Sequence, residues 1–343
     1  MKKPIATFLT DTHLKESNLQ INHTIYKEAI DHTKSLGLDR IFHLGDIFDS
    51  RTSQTIELLK DGFFDILEIF KEEKLNLVAI SGNHDRTQYS SINSFLTTYQ
   101  YHPNFKLVEK YDYFQLTKEI VLFLLPFFDD TTYNKYLKEM VKEHNIKTND
   151  THQIILGTHI GITGAVMNNG VEVHSDVDTS FLKLFKKIFV GHYHNEMVFD
   201  NVHYIGSAIA HNFGETNNKG LTVLYDDLST EKLPLTFPKY TTYSINVKEL
   251  KNSDLKSLEE EKKSGDNIRI NLEGTKEEVD SFNKQELLNL GIKVEKKVEK
   301  VKQEVVEAEV EKYDNSMLKT YFSEFCTKNS LIEEEGIIYL DHV

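Results

Sequence analysis

The stretch Leu75-Asn76-Leu77-Val78-Ala79-Ile80-Ser81-Gly82-Asn83-His84-Asp85 carries the strongest structural signal in the chain. Its apolar run reads as a strand buried on both faces, the pattern of a parallel sheet. It ends in a glycine turn followed at once by three polar side chains that can work in a site. A purely structural reason for that cluster is hard to find. Four other segments have the same shape: Phe8-Leu9-Thr10-Asp11-Thr12-His13, His43-Leu44-Gly45-Asp46, Leu156-Gly157-Thr158-His159 and Val190-Gly191-His192-Tyr193-His194. In open α/β sheets the ligand crevice lies outside the carboxyl ends of the strands, so one architecture brings all five loops to a single edge. There Asp11, His13, Asp46, Asn83, His159, His192 and His194 can converge on metal.

Composition narrows the chemistry. The 343 residues suggest two or three domains, and 39% hydrophobic with 11% aromatic residues suffices for a sizeable core. A single cysteine, Cys326, forms no intramolecular disulfide, fits a reducing cytosol and excludes thiolate-rich zinc sites. Any metal is therefore held by nitrogen and oxygen. Asp11 and His13 interrupt the apolar stretch after Lys2 and Lys3, so neither a signal peptide nor a membrane span is expected, and the protein is read as cytoplasmic. A net charge of -14 argues against a nucleic-acid-coating protein. A nuclease stays possible, because bound cations can receive phosphate and a partner can supply basic surface.

From Ile5 to about Pro238, apolar runs alternate with helical patterns, as in βαβ units. Helices are expected over Thr24–Leu36, Gln54–Glu73, Ile92–Tyr99 and Thr132–His144. Strands are expected at Leu75–Ile80, Val121–Leu125, Gln153–Leu156 and Lys187–Val190. Val202–Ile205 and Leu221–Tyr225 read as further strands, alternating or antiparallel. Beyond Pro238 the texture turns Lys/Glu-rich. Short strands (Tyr243–Val247, Ile268–Leu272, Ile292–Glu295) and helices (about Leu255–Lys263 and Glu277–Leu288) there read as a small α+β domain. The expected domains are 1–238, 239–303 and a tail, 304–343. In that tail an acidic segment, Val301–Lys312, precedes a helix over Ser316–Thr327 with Leu318, Tyr321, Phe322 and Phe325 on one face.

Two metals roughly 3.5–4 Å apart can clamp a phosphodiester, activating water and stabilising charge. Such a pair needs a bridging carboxylate with nitrogen or oxygen ligands around it, and the seven candidates supply two carboxylates, one amide and four imidazoles. Imidazole with carboxylate suits Mn²⁺, Fe²⁺ or Zn²⁺; a Mg²⁺ or Ca²⁺ site would be mostly oxygen. Asp11-Thr12-His13 and Gly45-Asp46 are weak signals alone, Gly191-His192-Tyr193-His194 is stronger, and the ordered set is far more specific than any member. Most of the 15 histidines read otherwise. His23, His32, His102, His144, His152 and His342 read as surface or turn residues, and His43 and His203 as strand residues. His174 and His211 read as structural.

In order, these residues follow D-x-H, G-D, G-N-H-[DE], H and G-H-x-H, and the chain resembles the calcineurin-like metallophosphoesterases. Within them it is most similar to the SbcD and Mre-eleven nuclease group, especially the recombination-nuclease subunit of tailed bacteriophages. Leu44-Gly45-Asp46-Ile47-Phe48-Asp49, Gly82-Asn83-His84-Asp85 and Tyr204-Ile205-Gly206-Ser207 carry that likeness. It implies an α/β sandwich of two mixed β-sheets flanked by helices, with a small α+β capping domain and a C-terminal helical tail. It further implies that Asp46 bridges two divalent ions. Asp11, His13 and His194 would complete one shell, and Asn83, His159 and His192 the other. His84 would act at the leaving oxygen, oriented by Asp85. The implied activity is Mn²⁺-dependent exonuclease and endonuclease cleavage of DNA. The implied partners are an SbcC-type coiled-coil ATPase and a second copy of the chain, with Ile92–Tyr99 and part of Gln54–Glu73 at the dimer surface. Asp49 stands where many cellular members carry histidine, so any role of that histidine does not transfer.

Two other readings compete. One is a phosphoesterase for a small substrate such as a nucleotide or phosphoprotein, which would need neither the appended domain nor the tail helix. The other is a catalytically inactive scaffold, which would be expected to have lost ligands; all seven are present.

Overall fold

In a computed structural model, residues 2–147, 152–166, 170–250, 252–298 and 318–329 are described. The acidic tail segment Val301–Lys312 lies outside them. The strands in chain order are β1 (Pro4–Leu9), β2 (Arg40–His43), β3 (Asn76–Ile80), β4 (Phe105–Val108) and β5 (Asp112–Gln115). There follow β6 (Ile120–Leu125), β7 (Gln153–His159), β8 (Lys187–Gly191), β9 (Met197–Phe199) and β10 (Val202–Tyr204). Then come β11 (Leu221–Tyr225), β12 (Thr230–Leu233), β13 (Tyr240–Asn246), β14 (Asn267–Gly274) and β15 (Lys293–Val298).

Twelve of these strands form two mixed six-stranded sheets, ordered β12-β11-β1-β2-β3-β4 and β5-β6-β7-β8-β10-β9. Each has a parallel centre, β1 to β4 in one and β6-β7-β8-β10 in the other, with antiparallel strands outside it. The strands alternate sides in the manner that pleating requires. In β3, Leu77 and Ala79 face the helices while Val78 and Ile80 face the opposite sheet. In β8, Phe189 points inward, and its ring stacks on Phe8 of β1 with centroids 5.0 Å apart. Both faces are apolar, which is why these strands read as unbroken hydrophobic runs.

Helices cover the outer faces. α1 (Leu19–Ser35) and α2 (Asp65–Glu72) pack on the first sheet through Ile25, Ala29, Ile66 and Phe70. α3 (Asp130–Glu143) covers the second through Tyr133, Leu137 and Met140, and α4 (Thr179–Leu182) is a single turn. The expected helix over Gln54–Glu73 is interrupted: Leu58–Phe64 is a π-helical turn that runs into α2. Over Ile92–Tyr99 only Phe95–Tyr99 is helical, as a short 3₁₀ segment, with Leu96 and Tyr99 buried in the chain's own core. β10, expected to be alternating or antiparallel, pairs parallel with β8 and antiparallel with β9.

A third sheet, β13-β14-β15, follows with α5 (Asn252–Lys263), α6 (Lys276–Ser281) and α7 (Gln285–Asn289). Its apolar residues, among them Leu258, Ile268, Ile270, Leu272 and Leu287, form a separate core. The expected helix over Glu277–Leu288 is therefore two short ones. α8 (Leu318–Asn329) belongs to a second compact unit, Val298–Val343. No helix among the described residues is long and apolar enough to cross a membrane.

Candidate metal centre

The five loops come from both sheets. Asp11 and His13 follow β1, Asp46 follows β2 and Asn83 follows β3. Across the sandwich, His159 ends β7, and His192 and His194 follow β8. The convergence edge is thus a seam between two sheets, not the rim of one open sheet. All seven residues meet there. The Oδ1 of Asn83 lies 3.2 Å from Nε2 of His159 and 2.9 Å from Nδ1 of His192. The carboxylate of Asp46 lies 3.3 Å from His159 and 3.8 Å from His13. Nε2 of His13 and of His194 are 3.1 Å apart, and each is 3.8 Å from Oδ1 of Asp11.

Backbone conformation turns these side chains inward. Asp11, His13, Asp46 and His192 all sit at positive φ (51°, 43°, 55° and 90°). Non-glycine residues there are strained, and such strain gathers at functional sites. The glycines between them close the seam. A Cβ on Gly45 would stand 2.7 Å from both the Gly82 nitrogen and His159 Nδ1. One on Gly82 would collide with the Asp46 carboxylate.

Three groups of donor residues each bring ligand atoms within 4.8 Å of one another: His13, His194 and His211; His13, Asp46 and His84; and Asp46, His159 and His192. Asp46 belongs to two of them. Burial opposes ionisation of Asp46, but His159, His13 and His84 outweigh it and hold the carboxyl well below its usual range. Burial also works against a charged His159, yet Asp46 raises it to about 9. His192 drops to about 3, through burial and then the His159 charge. His159 Nδ1 donates to the Leu44 carbonyl at 2.7 Å, so its Nε2 faces the centre.

Other residues join the site without any signal in the sequence. Glu215 is buried, with Oε1 2.9 Å from Nδ1 of His194 and Oε2 3.1 Å from the buried Lys219 ammonium. Burial would raise Glu215, but the hydrogen bond from His194 leads the forces holding it to about 2. His211, read from sequence as structural, lies within the donor cluster. Its ring is 4.9 Å from those of His13 and His194, and its Nε2 is committed to the Asp11 carbonyl at 2.8 Å. No short motif marks either residue.

The expected partnership of Asp85 with the His84 ring is corrected. Asp85 is fully buried and accepts backbone amides from Gly82 (2.8 Å), Phe48 (2.9 Å) and Ile47 (3.3 Å), tying two site loops together. The His84 ring instead meets the Asp49 carbonyl through Nδ1 and the Arg51 guanidinium through Nε2. Asp49 itself lies 3.5 Å from Nδ1 of His13. A cavity of about 240 Å³ opens between Arg51, His84, Tyr193 and the donors His13, Asp46, Asn83, His192 and His194.

Residues 6–218 match the family described as calcineurin-like phosphoesterase. Among curated relatives, exonuclease subunit 1 of Enterobacteria phage T4 is 26% identical over 231 residues, covering 64% of this chain and 62% of the phage protein. The chain therefore spans less than two thirds of that relative. Among solved structures, GAP50, the anchor in the inner membrane complex of Plasmodium, overlaps 68% of this chain and 90% of its own, with a TM-score of 0.43 and 15% identity.

Proposed function

The chain belongs to the calcineurin-like phosphoesterase family, and on that premise we propose that it is a two-metal DNA nuclease subunit of an SbcCD-like repair and recombination complex. The observation that carries this reading is the meeting of seven donors from five loops, with the Asp46 carboxylate between His13 on one side and His159 on the other. Asp46 would be shared by the two ions, with Asp11, His13 and His194 holding one and Asn83, His159 and His192 the other. A set of imidazoles, carboxylates and one amide fits Mn²⁺. When bound, the ions supply Lewis-acid charge and lower the pKa of water. The protein's own contribution is orientation: Leu44 fixes the His159 ring, Glu215 fixes the His194 ring, and Asp85 ties the loops that present Asp46 and Asn83. His84 acts at the leaving oxygen without ligating.

The T4 protein's name supports a nucleic-acid substrate and a role as one subunit of a complex. For this chain we propose an SbcC-type coiled-coil ATPase as partner, homodimerisation, and residues 239–303 as a capping domain. The test is Mn²⁺-dependent cleavage of linear and hairpin DNA by the purified chain, with and without a co-expressed ATPase. Cleavage that chelator abolishes is expected. Hydrolysis of a small phosphodiester without any cleavage of DNA would replace this reading by the small-substrate one, and inactivity on both would favour a scaffold.

A further inference from the structure

One cation stands at the mouth of the metal pocket in an unusual posture. The guanidinium of Arg51 meets the His84 ring edge, with Nε 3.2 Å and Nη2 3.1 Å from Nε2, while Nη1 lies 3.4 Å from the Tyr89 hydroxyl. A guanidinium can only donate hydrogen bonds. The Asp49 carbonyl at the other ring nitrogen can only accept. His84 is therefore the tautomer with its proton on Nδ1 and a bare lone pair on Nε2. That same edge must give a proton to the leaving oxygen in the proposed reaction, so Arg51, which can only donate to it, has to leave Nε2 and a proton from solvent has to take its place before cleavage. The guanidinium needs another partner, and phosphate is the one its planar fork fits best.

The surroundings supply the place. The chain is acidic, with net charge -14, and Arg51 alone of its four arginines lines this pocket. Asp49 also lines a neighbouring cleft of about 620 Å³, together with Lys15, Ser50, Ser53, Thr55 and the carboxylate of Glu16. It has room for a nucleotide next to the one on the metals. We propose that Arg51 is a substrate-binding residue that transfers from His84 to the phosphate neighbouring the scissile one, so that a polynucleotide, more than a lone phosphodiester, uncovers the His84 edge. This rests on the nuclease reading above and adds its substrate selectivity.

The test uses the metal-loaded full chain and two probes, a single-stranded oligonucleotide and bis(p-nitrophenyl) phosphate, which has no neighbouring phosphate. Arg51→Gln should lower kcat/KM on the oligonucleotide about 10- to 100-fold. The loss on the lone diester should be smaller by about tenfold or more. The slope of log kcat/KM against log salt on the oligonucleotide should shrink by about one, as for one lost phosphate contact. Arg51→Lys should recover part of the rate, since the charge remains and the fork is lost. Equal losses on both probes with an unchanged salt slope would make Arg51 a mere support of the His84 ring and overturn the proposal. A gain on both would make Arg51 an inhibitory cap and overturn it equally. A wild-type chain inactive on both probes with every divalent ion would sink the nuclease reading itself, and this proposal with it.

Discussion

Asp46 and His84 are joined directly, since the His84 amide donates to Asp46 Oδ1 at 2.8 Å, yet they should fail differently. Asp46→Ala removes the carboxylate proposed to be shared by both ions, between His13 and His159, and should cost both metal equivalents by mass spectrometry. His84→Gln should keep metal and DNA binding while cleavage falls about 10²–10⁴-fold, the usual worth of one general acid. Metal loss in that variant would make His84 a ligand instead. His159 makes a second prediction. Its folded value of about 9 stands above the ordinary 6.5: burial opposes the charge, and the Asp46 carboxylate overcomes it. A raised histidine stabilises fully below its unfolded value and loses that contribution as pH climbs through the folded one. In chelator, the thermal midpoint should therefore drop between about pH 6.5 and 9, and His159→Gln should flatten the drop. Identical pH profiles for the two proteins would refute the Asp46–His159 pair as its source.

The ends of β2, β3, β7 and β8 approach each other as closely as they do because glycine stands at the contacts. A Cβ on Gly191 would lie 2.6 Å from the Leu44 carbonyl and 2.8 Å from His159 Nδ1, so Gly191→Ala must push β8 away from β2. Overpacking of this kind typically costs about 1–3 kcal/mol. We expect a lower denaturant midpoint together with weaker metal binding; a variant with native metal content would mean that the seam relaxes without moving the donors. These same strands are the legible part of the fold, because burial on both faces leaves an unbroken apolar run and each run ends on its donor. Residues 95–99 read as part of a longer helix, since Leu96 and Tyr99 satisfy helical spacing in a 3₁₀ turn as well. β9, three residues long, is too short to leave a periodic signal, and β12, four residues long, is short and polar. Within the site, the donors are readable from motif order, but their supports are not. Glu215 and Arg51 lie on loops with no motif of their own. Asp85 shows that neighbours in sequence need not be partners in space, because its side chain turns to the amides of Gly82, Ile47 and Phe48.

At the scale of the molecule, what surface is left over bears on assembly. Leu96 and Tyr99 are spent on the core, so a dimer in this region would have to use Phe64, Ile92, Ile56 and Tyr101, the last two 76% and 90% exposed. Analytical ultracentrifugation should find a dimer that Tyr101→Asp with Ile56→Asp dissociates; a strict monomer at high concentration contradicts it. The tail offers the other surface. Leu318, Tyr321, Phe322 and Phe325 recur at helical spacing, and Leu318–Asn329 is helical, with Phe325 56% exposed. An isolated helix of that length is marginal in water and needs a surface to lie on. On the reading proposed above, that surface is the base of a partner's coiled coil, a helix-in-groove attachment. Deleting Asp314–Val343 should leave Mn²⁺-dependent cleavage of simple substrates in place and abolish co-purification with the ATPase. If the shortened chain still binds the ATPase with unchanged affinity, the helix is structural and the attachment lies elsewhere.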